Sequence, residues 1–565
     1  MKLQTWLGVI SGFCATSGVV CEPGPSSFAA TRSCPGNTAE DRTRWGDFTI
    51  HDDFHLEVPD TGVTREYFFE VQHGIGAPDG YTRPVVTING SIPGPTIIAD
   101  WGDNVVVHVT NRLDSIANGT SLHFHGIQQN FTNPMDGTSS ITQCPIAPGH
   151  RMSYRWRATQ YGTAWYHSHF GLQAWEGLAG GIIINGPATA NYEEDKGVIF
   201  VSDWSHQTSA ERAHIAETDS TPRMDTGLIN GTNIYNQTGA RFTMAFTPGR
   251  SYRLRFINSA VSTTFKVMID HHVITVIAAD LVPIVPYKTT ALSIAPGQRY
   301  DVVVPADQST VADAFWLRAI PQETCSKPDN PDGIRGIVHY SPIYSEPNTT
   351  GYEYTDSCDD EDMRHLIPFV PRPVGSHFWT VKETVGLLYN EENLIRWYMN
   401  NSVMHVDWQS PTLMQTISAG SDSFPRSSAV IDLPKANKWV FLVIETQFDA
   451  SHPLHLHGHD FAILAQGRGH YDPSTVVFSP NPPWRDTAML PALGHLVIAF
   501  LTDNPGAWLL HCHMGWHSSE GFALQFLERG DELRSLIDAD FLLSNCANWN
   551  EYYSSDSRAQ VDSGI

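Results

Sequence analysis

Four phrases set two imidazoles one residue apart: His123-Phe-His125, His167-Ser-His169, His455-Leu-His457 and His511-Cys-His513. With 26 histidines among 565 residues, random placement gives roughly one such pair. Each pair lies in or beside a strand-like run, where residues i and i+2 point to the same face. A pair therefore offers two nitrogen donors on one side of a strand, as a metal ion requires. One such pair is more often structural. Four together point to metal.

Cys512 selects the metal. In a strand, His511 and His513 face one way and the thiolate faces the other, so a single tripeptide touches two sites. Cysteine with two histidines and a weak or absent axial donor is the electron-transfer arrangement of copper. His517, five residues after the cysteine, and His452, just before the third pair, complete that set. The eight paired imidazoles then suit three further ions, two ligands on one and three on each of the others. Structural zinc closes with four ligands and gains nothing from eleven. An iron–sulfur site needs more thiolates than one unpaired cysteine supplies.

Two of the pairs precede residue 170 and two follow residue 450, so the site forms only where the ends of the chain pack together. Short Val/Ile/Thr/Tyr/Phe runs broken by Gly, Pro, Asn and Asp predict strands at Val85–Asn89, Asn104–Thr110, Ser251–Ile257, Arg299–Val304, Lys438–Ile444 and Leu496–Leu501. A turn-to-strand step recurs at Asn89–Pro95, Phe246–Arg255 and Ala295–Asp301. The expected fold is all-β, three consecutive Greek-key sandwiches or barrels at 45–187, 188–345 and 370–545, with a tail at 546–565. Helix is expected only in a short piece near Glu532–Leu543.

Residues 1–20 read as a weak secretory signal. Seven sequons, at Asn89, Asn118, Asn130, Asn230, Asn236, Asn348 and Asn400, also favour an extracellular location. Beyond the leader no apolar run is long enough to span a membrane. A net charge of −25 argues against nucleic-acid or anionic-membrane partners. Seven of the eight cysteines follow the leader, and an odd count leaves Cys512 free for metal.

The phrases His123–Gly126, Trp165–His169, His452–His459 and His511–His517 closely resemble the four copper signatures of multicopper oxidases, in order and at that family's separations. The resemblance spans nearly the whole chain, and within the family it is to ascomycete-type fungal laccases. It implies three cupredoxin domains with a three-copper cluster between the first and third. The implied cofactors are four copper ions. His452, Cys512 and His517 would hold the type 1 copper, and His123 and His455 the type 2 copper. One type 3 copper would fall to His125, His167 and His513, the other to His169, His457 and His511. The implied reaction takes single electrons from phenols, diphenols or aromatic amines at the type 1 copper. Dioxygen becomes water at the cluster, and electrons pass through Cys512 to His511 and His513.

The resemblance carries further expectations. Phe522, ten residues after Cys512, stands where the family places its axial residue; it cannot coordinate, which implies a stronger oxidant. Asp225, in Asp-Thr-Gly-Leu-Ile-Asn-Gly, would accept the proton a phenol loses, with His452 as the other substrate contact. Asp136 would relay protons to the cluster. Gly515, at a position acidic in some relatives, puts a second relay acid in doubt. Residues Asp562–Ile565 resemble a C-terminal plug, with Ile565 entering the solvent channel. Cys144 would pair with Cys546 and Cys325 with Cys358, leaving Cys21 for Cys34. The expected partners are a small aromatic reductant and dioxygen, and the chain is expected to be monomeric. The competing readings are an Fe(II)-oxidising metallo-oxidase and a copper carrier without turnover.

Overall fold

Each of the six runs expected as strands is a strand, with ends within about two residues of expectation: Arg83–Ile88, Asn104–Asn111, Ser251–Asn258, Arg299–Pro305, Trp439–Thr446 and Gly494–Leu501. A computed structural model describes residues 34–114, 119–219, 221–400, 402–419, 424–555, 560 and 562–565. The expected leader, Cys21 and the sequon at Asn118 lie outside the described residues.

The large sheets come in three pairs. The first pair has the order Arg83–Ile88, Thr64–Gly76, Asn104–Asn111, Arg151–Arg157, facing Gly94–Asp100, Ala179–Asn185, Gly162–His167, His123–His125. Alternation is visible in Arg151–Arg157, whose Met152, Tyr154 and Trp156 are buried while Arg151, Arg155 and Arg157 are exposed. A six-stranded and a five-stranded sheet make the second pair, between Glu194 and His339. The third pair is again six and five strands, between His377 and Glu528.

Each pair encloses its own apolar core, centred on Val107, Phe124 and Ile182, on Leu254, Val302 and Leu317, and on Leu442, Ile498 and Phe526. Burying one such side chain contributes about 1.5–3 kcal/mol relative to leaving it exposed. A fourth cluster joins the ends of the chain. Ile141, Cys144 and Phe170 of the first sandwich pack with Leu509 and Leu527 of the third and with Trp549 and Ile565 of the tail.

Helix is more extensive than expected. Ser209–Thr218, Thr412–Ala419, Gly515–Ser519 and Gly530–Leu536 are helical, and the tail forms a helix over Ala539–Ser555. Leu542, Cys546 and Trp549 are buried along it at helical spacing. The polar Asn545, Asn548 and Asn550 between them hide that stripe in the sequence. The disulfide Cys144–Cys546 fastens this helix to the first sandwich, and Cys325 pairs with Cys358.

Candidate metal centres

Strand pairing brings the eight imidazoles together. His123–His125 runs antiparallel to Gly162–His167, setting His123 opposite His167. In the third sandwich, His452–Leu456 runs antiparallel to Gly506–Cys512, setting His455 opposite His511 and Leu454 opposite Cys512. The two halves then meet ring to ring. His125 stacks on His455 with centroids 3.7 Å apart, and His123 on His457 at 3.9 Å. All eight rings are buried.

Their nitrogens converge in threes. Ligand atoms of His125, His167 and His513 lie within 4.8 Å of one another, as do those of His169, His457 and His511 and those of His123, His125 and His455. These are the two expected type 3 sets and the expected type 2 pair joined by His125. One nitrogen of most rings is already tied. Nδ1 of His123, His455 and His511 donates to the carbonyls of Asp136 (2.9 Å), Asp486 (2.9 Å) and Cys512 (3.0 Å). Nδ1 of His167 donates to Ser168 O at 2.9 Å, and Nδ1 of His457 to Asp136 Oδ2 at 2.9 Å. The Nε2 atoms of these five rings, and Nδ1 of His169 and His513, are buried with no partner.

Each buried polar atom left unsatisfied costs about 1–3 kcal/mol. Unpartnered ring nitrogens on histidines that converge in threes, with the opposite nitrogen of five rings tied by hydrogen bonds, fit metal donors held by a surrounding shell. Burial, reinforced by the neighbouring imidazoles, pushes His125, His167, His169, His457, His511 and His513 well below the usual histidine range. They are therefore neutral, as ligands must be. The residues present fit a copper cluster.

The outer group lies on the other side of the same strand. Cys512 Sγ is 3.6 Å from His517 Nδ1 and 3.9 Å from His452 Nδ1, and the two nitrogens are 3.2 Å apart. Cys512 is the one free cysteine among the described residues. Burial pushes its thiol up and pushes His517 down to about 3. Metal binding would offset that cost by deprotonating the thiol outright. The strand ends at Cys512, so His513 lies just past it; its nitrogen nonetheless joins the inner group. The Phe522 ring sits 5.0 Å from His452, and its backbone bonds to Cys512 N and to His517 O. Trp397, which nothing in the sequence singled out, packs on both outer imidazoles at 4.9 and 4.5 Å.

Two carboxylates border the inner group. Asp136 is fully buried between His457 and His123, with Thr138 donating to it at 2.7 Å. Desolvation opposes its charge, but His123 and these hydrogen bonds hold it below the usual carboxylate range. The second carboxylate is Asp486, absent from the sequence reading. It lies 3.2 Å from His125 Nε2 and 3.5 Å from His455 Nδ1. Arg299 of the second sandwich grips it at 2.6 Å through both terminal nitrogens, and burial is outweighed so that its carboxyl stays far below its ordinary range. Its only local signal is an Arg-Asp step, Arg485-Asp486, in an otherwise apolar run. Gly297 of the same sandwich, at φ +88°, presses on the cluster; a Cβ there would stand 3.1 Å from both His125 and His513.

The remaining expected residues sit as follows. Asp225 Oδ2 accepts from Ser205 Oγ (3.2 Å), His206 N (2.9 Å) and Arg212 Nη2 (2.9 Å). Those donors belong to a loop and helix that pack, through Met224 and Val261, against Trp516 beside His517. His452 is fully buried, whereas His517 keeps 4% of its surface. Gly515 has a steric reason: a Cβ there would meet the Trp175 ring at 2.3 Å. The tail is buried at Ser563–Ile565. Ser563 bonds through N to Ser519 O (2.9 Å) and through Oγ to Ser518 O (2.7 Å), and Ile565 packs beside Phe170 and Ile141.

Multicopper oxidase family models match residues 70–189, 195–342 and 391–532. Laccase-2 of Botryotinia fuckeliana is 42% identical over the full length of both chains. The crystal structure of the laccase from Botrytis aclada superposes with a TM-score of 0.89 at 44% identity, over 94% of this chain and all of that one. Fet3p, described as a multicopper oxidase that functions in iron import, superposes with a TM-score of 0.78 at 26% identity, over 89% of this chain and 97% of its own. With three family models spread over the chain and full-length relatives at this identity, the chain belongs to the multicopper oxidases, and within them to the fungal laccase type, a copper-dependent oxidoreductase.

Proposed function

We propose that His452, Cys512 and His517 hold the type 1 copper and that His123 and His455 hold the type 2 copper. His125, His167 and His513 take one type 3 copper, and His169, His457 and His511 the other. The observation that carries this reading is Cys512, whose sulfur joins one trio while its two sequence neighbours join two others. When bound, copper supplies one-electron acceptance at the outer centre and storage of the four electrons that turn dioxygen into water.

The chain's own residues supply the rest. Cys512 shares backbone with His511 and His513, a covalent route between the centres. Phe522 and Trp397 wall the outer centre with apolar rings and keep water from its donors. Asp136 fixes the His457 tautomer through Oδ2, while its other oxygen lies 3.3 Å from His123 Nδ1, a carboxylate set to pass protons on beside the cluster. Asp486 holds the His125 ring through Nε2, with both of its oxygens anchored by Arg299. The substrate approaches where His517 and Trp516 meet the second sandwich, and there Asp225 accepts the phenolic proton. His517 is a better contact than His452, which has no surface to offer. The terminal segment Asp562–Ile565 serves as a plug of the solvent channel, its Ser563 bonded to Ser518 and Ser519 just past His517 and its Ile565 buried in the apolar cluster that includes Phe170.

The substrates are small phenols with no single required shape, and the enzyme works outside the cell as a monomer. Sequons and two disulfides support that location. No helix among the described residues is long and apolar enough to cross a membrane. Iron oxidation is less favoured: a site for Fe(II) needs several free carboxylates at the outer centre, and Asp225 is already engaged by Arg212. Oxygen uptake by the copper-loaded protein with a methoxyphenol, and then with Fe(II), decides. Phenol-dependent uptake is expected. Preference for iron would make it a metallo-oxidase, and no uptake with either a carrier.

A further inference from the structure

We infer that His206 is a positioning residue for phenol oxidation, tying the proton-accepting Asp225 to the buried Asp79 of the first sandwich. This rests on the assignment of Asp225 made above. His206 Nδ1 lies 3.4 Å from Asp225 Oδ1, and His206 Nε2 lies 2.7 Å from Asp79 Oδ2. The two ring nitrogens face two different carboxylates, so the one ring bridges Asp79 and Asp225. The ring cannot swing. Tyr81 stacks on one face at 4.0 Å, and Tyr235 meets it edge-on at 4.5 Å.

Asp79 is an anchor rather than a solvated acid. Its side chain is fully buried, its Oδ1 accepts from Tyr81 N at 3.0 Å, and its carbonyl accepts from Tyr235 N at 3.0 Å. The titratable and charged groups in this neighbourhood run Asp79, His206, Asp225 and Arg212, with Glu211 on the same helix as Arg212 and the Arg83–Glu176 pair behind it. Arg212 and Ser205 both reach Asp225 Oδ2. The His206 ring approaches Oδ1, opposite the donors on Oδ2, so it fixes the rotation of the carboxylate, and with it which lone pair faces the reductant. In the step served, one phenolic O–H bond breaks. The proton would go to Asp225 and the electron to the oxidised copper that His452, Cys512 and His517 would hold, leaving a neutral phenoxyl radical.

The test compares a phenol with ferrocyanide, which gives up an electron and no proton. In the copper-loaded enzyme, His206→Gln should lower kcat/KM for the phenol by about tenfold and leave ferrocyanide oxidation and the blue absorbance unchanged. Gln has one amide nitrogen and serves one carboxylate, so His206→Ala should be worse than Gln. Asp79→Asn, which keeps the imidazole but weakens its anchor, should lower the phenol-to-ferrocyanide ratio in the same direction and covers the case in which His206 variants fail to fold. Asp225→Asn separates the two ideas. If it leaves the ratio unchanged, the assignment of Asp225 is wrong. If Asp225→Asn lowers the ratio while His206→Gln and Asp79→Asn do not, the role of His206 is overturned and that of Asp225 stands.

Discussion

His455 and His511 stand opposite each other across paired antiparallel strands, and the next residue along, Cys512, stands opposite Leu454. Register partners share a face of the sheet and successive residues alternate. Imidazoles therefore crowd one face while the thiol enters the other, between His452 and His517. One strand end thus reaches two groups of ligand atoms, joined through the backbone of adjacent residues.

Replacing Cys512 by Ser removes the sulfur of the outer group and nothing from the inner eight rings. Phenol-dependent oxygen uptake should fall by more than about a hundredfold, because outer-centre electron entry is lost. The inner coppers should remain, read as about three ions per chain by metal analysis, with the intense blue absorbance gone. Substantial phenol turnover in that variant would show that electrons enter elsewhere.

The His and Cys groups that the fold brings together were legible because their signal is local. Each pair depends only on i, i+2 alternation, which any strand enforces, and the Cys flanked by His needs no knowledge of the fold. What escaped is contributed from a distance. Arg299 and Gly297 matter because the second sandwich docks on the cluster, and Asp486 because Arg299 orients it; no spacing within one segment predicts that. Trp397 is one of many aromatic residues until the third sandwich closes on His452. Asp225 was found by its phrase, but its partners Arg212 and His206 come from a helix and loop that a mostly-β reading did not anticipate. The tail helix was expected only as far as Leu543, and its continuation to Ser555 was missed because asparagines interrupt its apolar stripe.

Phe522 faces the outer histidines with a ring that offers no electron pair. Replacement by Met places a thioether where it can donate weakly to copper, which stabilises the oxidised ion less than a strong ligand but more than an arene does. The reduction potential of the outer centre should drop, measured by spectroelectrochemical titration of the blue band. Turnover of electron-poor phenols should slow more than that of electron-rich ones. A potential equal to the wild type's would mean that position 522 does not face the metal.

Stability should depend on pH through buried acids outside the copper sites. Burial pushes Glu520 up to about 8, with repulsion from Glu217 adding to it, while Trp397 and Arg396 act the other way. Burial alone pushes Glu383 up to about 7, and burial with repulsion from Asp486 brings Asp460 to about 7. A carboxyl whose folded value lies above its unfolded one binds its proton more tightly when folded. Its burial is free of charge penalty below about pH 4, and stability is lost as pH rises through the interval up to the folded value. These carboxyls should therefore pull the denaturation midpoint down between about pH 5 and pH 8, opposite to the trend that paired surface carboxylates impose. Above the usual histidine range, where the depressed buried imidazoles no longer add stability, the midpoint itself should fall. Glu520→Gln isolates one contribution, since the amide keeps the shape and cannot ionise. Its midpoint should match the wild type near pH 4 and exceed it near pH 9 by roughly a few kcal/mol of stability. Parallel curves for the two proteins across that range would show that Glu520 titrates as an ordinary acid and that its burial is relieved by solvent.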